Sequence, residues 1–183
     1  KHSAKLDPSA MKATLVNGKS YMIPTSTPDR KVSVALIRKD IREKAGLGEI
    51  KRFSELGPYL EAVKKNYPEM VPLNLDNQFD LPTPYQYLMR DKVGYMSAPL
   101  DSGDPLAQGI AYDYEDKSGK VYSMVEDGPI LSAQKYAATI MKEWYDKGYI
   151  NKNPYANKIR SKDNFCEGKS GVALGNTIDV ASV

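Results

Sequence analysis

Two neighbouring stretches decide the fold of this chain: Val16-Asn17-Gly18-Lys19-Ser20-Tyr21-Met22-Ile23-Pro24 and Val34-Ala35-Leu36-Ile37-Arg38-Lys39-Asp40. The first contains an Asn-Gly pair, which favours a tight hairpin turn, followed by a short apolar-polar alternation that a proline ends. The second is a continuous apolar strand that leads directly into a charged helix start. Strands that alternate with helices in this way predict an α/β fold.

The composition is that of a folded globular chain. Its 183 residues suffice for one domain with a sizeable core, and 41% are hydrophobic and 27% charged. The net charge of +3 comes from interspersed acids and bases without a basic stripe, so we expect no nucleic-acid partner. No apolar run has the length of a membrane span, and we expect no signal peptide within this chain. Because the chain begins with Lys1, we expect a processed or excised piece.

Periodicity predicts the remaining elements. We expect buried strands at 32–37, 70–75 and 171–174, and a hairpin formed by 109–114 and 120–125. We expect helices at 39–44, from a cap at Ser54 through Tyr67, and at 84–90, 130–147 and 161–166. Trp144 is the only tryptophan. It shares a helical stripe with Ile140 and Met141, which places it in the core.

The residues offer little for catalysis. Cys166 is the only cysteine, so it can form no internal disulfide or thiolate cluster, and we expect it to be a small apolar filler beside Phe165. The densest acidic cluster, residues 113–116, lies at the predicted hairpin tip, where it is solvated. Asp76 and Asp80 do not have the spacing of a calcium loop. We therefore predict a protein that is not an enzyme, with no cofactor and no dedicated metal site.

Tyrosine is the outlier in the composition, with 13 residues against one Trp and three Phe. A tyrosine combines a flat apolar face with a hydroxyl group, which suits sugars because their C–H faces stack on rings while their hydroxyls take hydrogen bonds. Tyrosines are also common on strand faces and at half-buried helix edges. The excess is therefore only a hint of carbohydrate binding.

Five ordered motifs resemble those of the family 1 extracellular solute-binding proteins, the ligand-capturing subunits of ABC importers. The similarity is greatest to the Gram-positive lipoprotein branch associated with oligosaccharide import. The motifs are Gly18-Lys19-Ser20-Tyr21-Met22-Ile23-Pro24 (G-K-x-Y-x-x-P), Leu36-Ile37-Arg38-Lys39-Asp40, Phe53-Ser54-Glu55-Leu56, Trp144-Tyr145-Asp146-Lys147-Gly148-Tyr149-Ile150-Asn151 and Phe165-Cys166-Glu167-Gly168-Lys169-Ser170-Gly171-Val172. No one of them is specific alone, but the ordered set is.

The resemblance implies a two-lobed protein with the periplasmic-binding-protein-like (type II) fold, in which hinge closure traps a ligand in the cleft between the lobes. Residues 1–183 would form a single α/β lobe, a mixed sheet flanked by helices, that is incomplete relative to the whole fold. Hinge-like crossovers are expected at about 20–30 and again at about 174–183. An isolated lobe could not enclose a ligand, would leave a sheet edge or face incompletely covered, and could self-associate.

The resemblance also implies location, partners and ligand contacts. The full-length parent would be extracellular, anchored as a lipoprotein, and would deliver an oligosaccharide to an ABC permease. One member of the family places a stacking tyrosine in an E-P-Y segment, and Thr83-Pro84-Tyr85 occupies the comparable place, so Tyr85 is the first candidate and Tyr87 the second. After the last strand, a tryptophan of that member is replaced here, which shifts the expected contact to hydrogen bonds from Asn176 or Asp179. Thr25 and Ser26 follow the hinge strand and complete the candidate ligand-binding set.

Other functions remain open at this point. The first is a binding protein for a peptide or a modified sugar. The second is a carbohydrate-active enzyme domain, which would need paired buried acids in one cleft. The third is a sensory or adhesion module that uses the same lobe as an interaction surface.

Overall fold

The computed structural model describes residues 8–22, 33–78, 80–81, 83–93, 96–97, 110–112, 118–123, 125–126 and 128–177. The chain divides into two compact units, Lys1–Val32 and Ser33–Val183.

The first unit contains a short helix and a hairpin. Helix α1 spans Pro8–Ala13, and strands β1 (Leu15–Val16) and β2 (Lys19–Ser20) pair antiparallel. Asn17 and Gly18 join the strands with φ angles of 51° and 76°. Positive φ at both central residues is what a tight hairpin turn requires, and Asn-Gly adopts it at little cost. The predicted hairpin is confirmed.

The second unit carries the other elements. In chain order they are β3 (Ser33–Ile37), α2 (Lys39–Lys44), a 3-10 turn (Phe53–Leu56) that continues into α3 (Gly57–Asn66), α4 (Thr83–Lys92), β4 (Met96–Ser97), β5 (Ile110–Tyr112), β6 (Val121–Ser123), α5 (Gly128–Asp146), a second 3-10 turn (Pro154–Ala156), α6 (Ser161–Cys166) and β7 (Val172–Asn176). The predicted helices and the predicted hairpin β5–β6 are confirmed, and β4 extends that hairpin to three antiparallel strands.

The main sheet is mixed, as predicted. Strands β3 and β7 pair antiparallel with Ser33 opposite Asn176, whereas Val71 bridges to Ser170 and Leu73 to Ile150 in parallel. The prediction of a continuous strand over 70–75 is wrong. The chain bends at Pro72, which lacks an N–H, so Val71 pairs with the segment before β7 and Leu73 with the segment after α5.

The core lies between the sheet and helices α3, α4 and α5. Trp144 is buried, as predicted, and its ring lies 5.7 Å from that of Phe53. Tyr59 is fully buried at the centre of the unit; its hydroxyl donates to the Gly171 carbonyl at 2.7 Å and accepts the Arg38 N–H at 3.0 Å. This side chain therefore links α3 to the end of β3 and to the segment before β7.

Three details differ from the sequence predictions. Strand β3 is half-buried rather than buried. Helix α3 is not capped by Ser54: the Glu55 carboxylate accepts the N–H groups of Lys51 and Arg52 instead, and the Ser54 N–H donates to Asp91 at 2.6 Å. Cys166 is exposed, so its predicted role as an apolar filler is wrong.

Candidate functional site

A small polar pocket lies where the ends of β3 and β7 meet the start of α4. Its volume is about 150 Å³. It is lined by Ser33, Asp80, Thr83, Gln86, Tyr87, Arg160, Leu174, Gly175 and Asn176. We refer to it as the polar pocket.

The sheet register explains why polar side chains gather at this place. Ser33 begins β3 and Asn176 ends β7, and the antiparallel pairing sets them opposite each other. Burial raises the pKa of Tyr87 on α4, and a hydrogen bond between its hydroxyl and the side chain of Ser33 opposes only part of this rise. The phenol therefore stays protonated near neutral pH and is able to donate a hydrogen bond.

The structure brings together two of the six predicted ligand-binding residues, Tyr87 and Asn176. Tyr85 is half-buried and packs against the apolar core, where burial raises its pKa. It is not among the described residues that line the polar pocket. Thr25, Ser26 and Asp179 lie outside the described residues.

Asp80 forms the buried wall of the polar pocket and is 2% exposed. Burial raises the pKa of Asp80 to about 6; the Ser161 N–H, which donates to its carboxylate at 2.6 Å, opposes this rise, and the charge of Asp76 adds to it. The Ser161 hydroxyl oxygen accepts the Leu174 N–H at 2.9 Å. Asp80 thus holds the start of α6 in place, and Ser161 in turn connects that start to β7 at Leu174, two residues before Asn176.

Sequence reasoning missed Asp80 and Arg160 as parts of this site. In the sequence, Asp80 stands out only as a possible calcium ligand, and Arg160 belongs to none of the motifs. The detectable signal was positional, since Arg160 directly precedes the predicted helix start at Ser161, and helix N-termini attract carboxylates. Which carboxylate would reach that helix could not be read from the sequence.

Two other kinds of feature, metal-ligand clusters and membrane-spanning helices, are absent from the described part of the chain. Within it, no group of three or more His, Cys, Asp or Glu side chains gathers to hold a metal ion. The helices described are also too short or too polar to span a bilayer.

Comparison with known proteins gives one curated relative and several solved structures, while no protein-family model matches. The chain is 26% identical over 175 residues to the polygalacturonan/rhamnogalacturonan-binding protein YtcQ of Bacillus subtilis (strain 168), a match that covers 94% of this chain and 32% of that protein. The N-glycan transport solute binding protein NgtS from Streptococcus pneumoniae aligns with a TM-score of 0.64 at 20% identity, over 96% of this chain and 34% of that one.

An HMO-binding, ABC-transporter-associated solute binding protein from Bifidobacterium longum infantis ATCC 15697 aligns with a TM-score of 0.67 at 22% identity, over 95% of this chain and 36% of that one. The chain thus spans about one third of the length of the relatives it matches. Over that third, the chain has the fold of the sugar-binding solute-binding proteins of ABC transporters.

Proposed function

We propose that this chain is part of one lobe of a solute-binding protein that captures an oligosaccharide for an ABC importer. The observation that carries the proposal is the polar pocket, where the Tyr87 phenol and the Asn176 amide lie together in a fold shared with sugar-binding proteins. Two of the relatives reported above are named as a polygalacturonan/rhamnogalacturonan-binding protein and as an N-glycan transport solute binding protein, and neither name is that of an enzyme.

The chemistry of the pocket suits a polyhydroxylated ligand. An amide offers both donors and acceptors, a phenol donates from the edge of an apolar ring, and Arg160 offers a planar set of donors. Neighbouring sugar hydroxyls, which both donate and accept, match such a mixed lining. Specific binding then results from a few oriented hydrogen bonds on a largely preformed surface.

The size of the pocket fits one wall of a larger site. Complete small-molecule sites enclose roughly 300–1,000 Å³, whereas this pocket has about 150 Å³. In our proposal the second wall belongs to another lobe of the full-length protein, and hinge closure brings the two walls together. The full-length protein would be extracellular, held at the membrane by a lipid anchor, and would dock on a permease.

The test is calorimetric titration of the full-length protein with a panel of oligosaccharides and, as the competing class, peptides. We expect at least one oligosaccharide to bind, and we expect Asn176→Ala and Tyr87→Ala each to weaken it about tenfold, the loss expected from a hydrogen bond worth about 1.4 kcal/mol. Tyr145→Ala is the matched control, because Tyr145 is an exposed tyrosine on the outside of α5. Binding of peptides only, or equal affinities for all three variants, would contradict the proposal.

A further inference from the structure

A second, larger cleft adjoins the polar pocket, and Ser33 and Tyr87 line both. Its volume is about 350 Å³. Its lining residues come from β3, the 3-10 turn and α4: Ser33, Ala35, Ile37, Ile50, Lys51, Arg52, Phe53, Leu56, Tyr87, Arg90 and Asp91. We refer to it as the basic cleft.

The floor of the basic cleft is apolar. Ala35 and Ile37 alternate along β3, so they face the same side of the strand. The ring of Phe53 meets that of Tyr87 edge to face, with centroids 5.2 Å apart. These side chains give a flat apolar surface on which the C–H face of a sugar ring can rest.

The rim of the basic cleft is cationic. Lys51, Arg52 and Arg90 line it against a single acid, Asp91, whose carboxylate is already occupied by the Ser54 N–H. The Nζ of Lys51 lies 3.9 Å from Oε2 of Glu49, and this exposed ion pair contributes little to stability.

The two arginines of the rim are available to a ligand. Among the described residues, no carboxylate lies within ion-pair distance of Arg52 or Arg90. Both are exposed. Each guanidinium presents a fork of donors that matches the two oxygens of a carboxylate.

We propose that the basic cleft binds a uronic acid unit, so that the ligand of this protein is an acidic oligosaccharide. This inference rests on the function proposed above, and it adds the ligand class and a second subsite. The sugar ring lies on the apolar floor, and its carboxylate lies between Arg52 and Arg90. The next unit of the same chain passes Tyr87 and enters the polar pocket, because the two cavities share that residue.

A neutral sugar would make only part of these contacts. Its ring would cover the apolar floor, but the guanidinium groups would keep their water and gain nothing. A carboxylate gains charge-assisted hydrogen bonds at the same place, and these weaken as salt screens the charges. Selectivity for the acid over its neutral form is therefore the property that distinguishes this site.

The experiment compares trigalacturonate with its fully methyl-esterified form by calorimetric titration of the full-length protein. The ester keeps the rings and removes the charges. We expect the acid to bind about tenfold more tightly than the ester at low ionic strength, and the difference to shrink in 0.5 M salt. We expect Arg90→Gln and Arg52→Gln each to weaken the acid several-fold to tenfold and to leave the ester unchanged.

Lys135→Gln is the matched control, since it removes the same charge from an exposed position on α5. Equal binding of acid and ester, or equal effects of Arg90→Gln and Lys135→Gln, would overturn the inference of an acidic ligand. The proposal of an oligosaccharide-binding protein would still stand. If neither probe nor any other oligosaccharide binds, the proposed function fails as well. If another part of the full-length protein or a second copy fills the basic cleft, the acid and the ester will bind equally.

Discussion

Removing the hydroxyl oxygen of the buried residue Tyr59 tests whether its hydrogen bonds hold the second unit together. In Tyr59→Phe the ring still fills its place, and only the hydroxyl is lost. That hydroxyl donates to the Gly171 carbonyl and accepts the Arg38 N–H. Each hydrogen bond contributes about 1 kcal/mol, and a buried carbonyl left without a donor adds about 1 kcal/mol more. We therefore expect a loss of about 2–3 kcal/mol in the free energy of unfolding.

Urea denaturation followed by circular dichroism measures this loss. With a slope of about 2 kcal/mol per molar urea, the midpoint should fall by about 1–1.5 M. Tyr145→Phe is the matched control: its hydroxyl bonds the Lys152 carbonyl at 2.9 Å on the exposed face of α5 and should change stability by less than about 0.5 kcal/mol. If the two variants lose the same amount, Tyr59 is not the link between these segments.

The same residue predicts a pH dependence. Burial raises the pKa of Tyr59 to about 12 from its ordinary value near 10. The unfolded chain thus loses this proton first, and stability should fall as the pH rises from 10 to 12, by up to about 3 kcal/mol. Tyr59→Phe should lack this part of the loss, which a series of urea titrations between pH 9 and 12 would show.

Three further perturbations follow from contacts in the second unit. Gly171→Ala should lower stability by about 2–4 kcal/mol, because its Cβ would lie 2.8 Å from the Pro72 carbonyl oxygen, whereas Gly48→Ala, with open space around it, should stay within about 0.5 kcal/mol of the native chain in urea melts. The pKa of Asp80 is raised to about 6 in the folded state, so the native chain should lose up to about 3 kcal/mol of stability as the pH rises from 4 to 6. Asp80→Asn should lack this loss, and parallel curves of stability against pH for the two chains would contradict the prediction. Asn157→Ala should cost about 2 kcal/mol in thermal unfolding, because its amide donates to the side chain of Asn74 and to the Leu75 carbonyl; an unchanged melting temperature would show that water replaces these bonds.

The helices were predictable because their own residues carry the signal. Residues 39–44 and 161–166 were predicted as helices with the bounds of α2 and α6, since charged starts and following glycines mark both ends. The long helix α5 follows from its apolar stripe. The break at Pro72 was harder to predict from the sequence, because a proline in a short apolar run is also compatible with a continuous edge strand. Whether the strand continues or breaks there depends on which segments the chain packs against.

The candidate site was predictable only in part. Tyr85 and Tyr87 are two positions apart on α4, so their side chains point in directions roughly 160° apart, and they cannot both face one pocket. The sequence placed Tyr85 first, and the structure directs Tyr87 to the pocket. Which face of α4 meets the sheet depends on packing against α5 and the 3-10 turn, and that information is spread over distant residues. Ligand contact by any of the six candidates stays a prediction.

The pairing of β3 with β7 has a consequence for how the second unit forms during synthesis. Among the residues that the structure describes, these strands are the first and last elements of the second unit, with Ser33 opposite Asn176. At about 5–20 residues per second, a ribosome needs on the order of 10 s to make the stretch between them. During that time β3 leaves the ribosome as an apolar strand without its partner, which is when a nascent chain is most prone to aggregate. The growing chain therefore depends on β7 for protection as well as for stability, and a stop codon just before residue 172 should yield insoluble product.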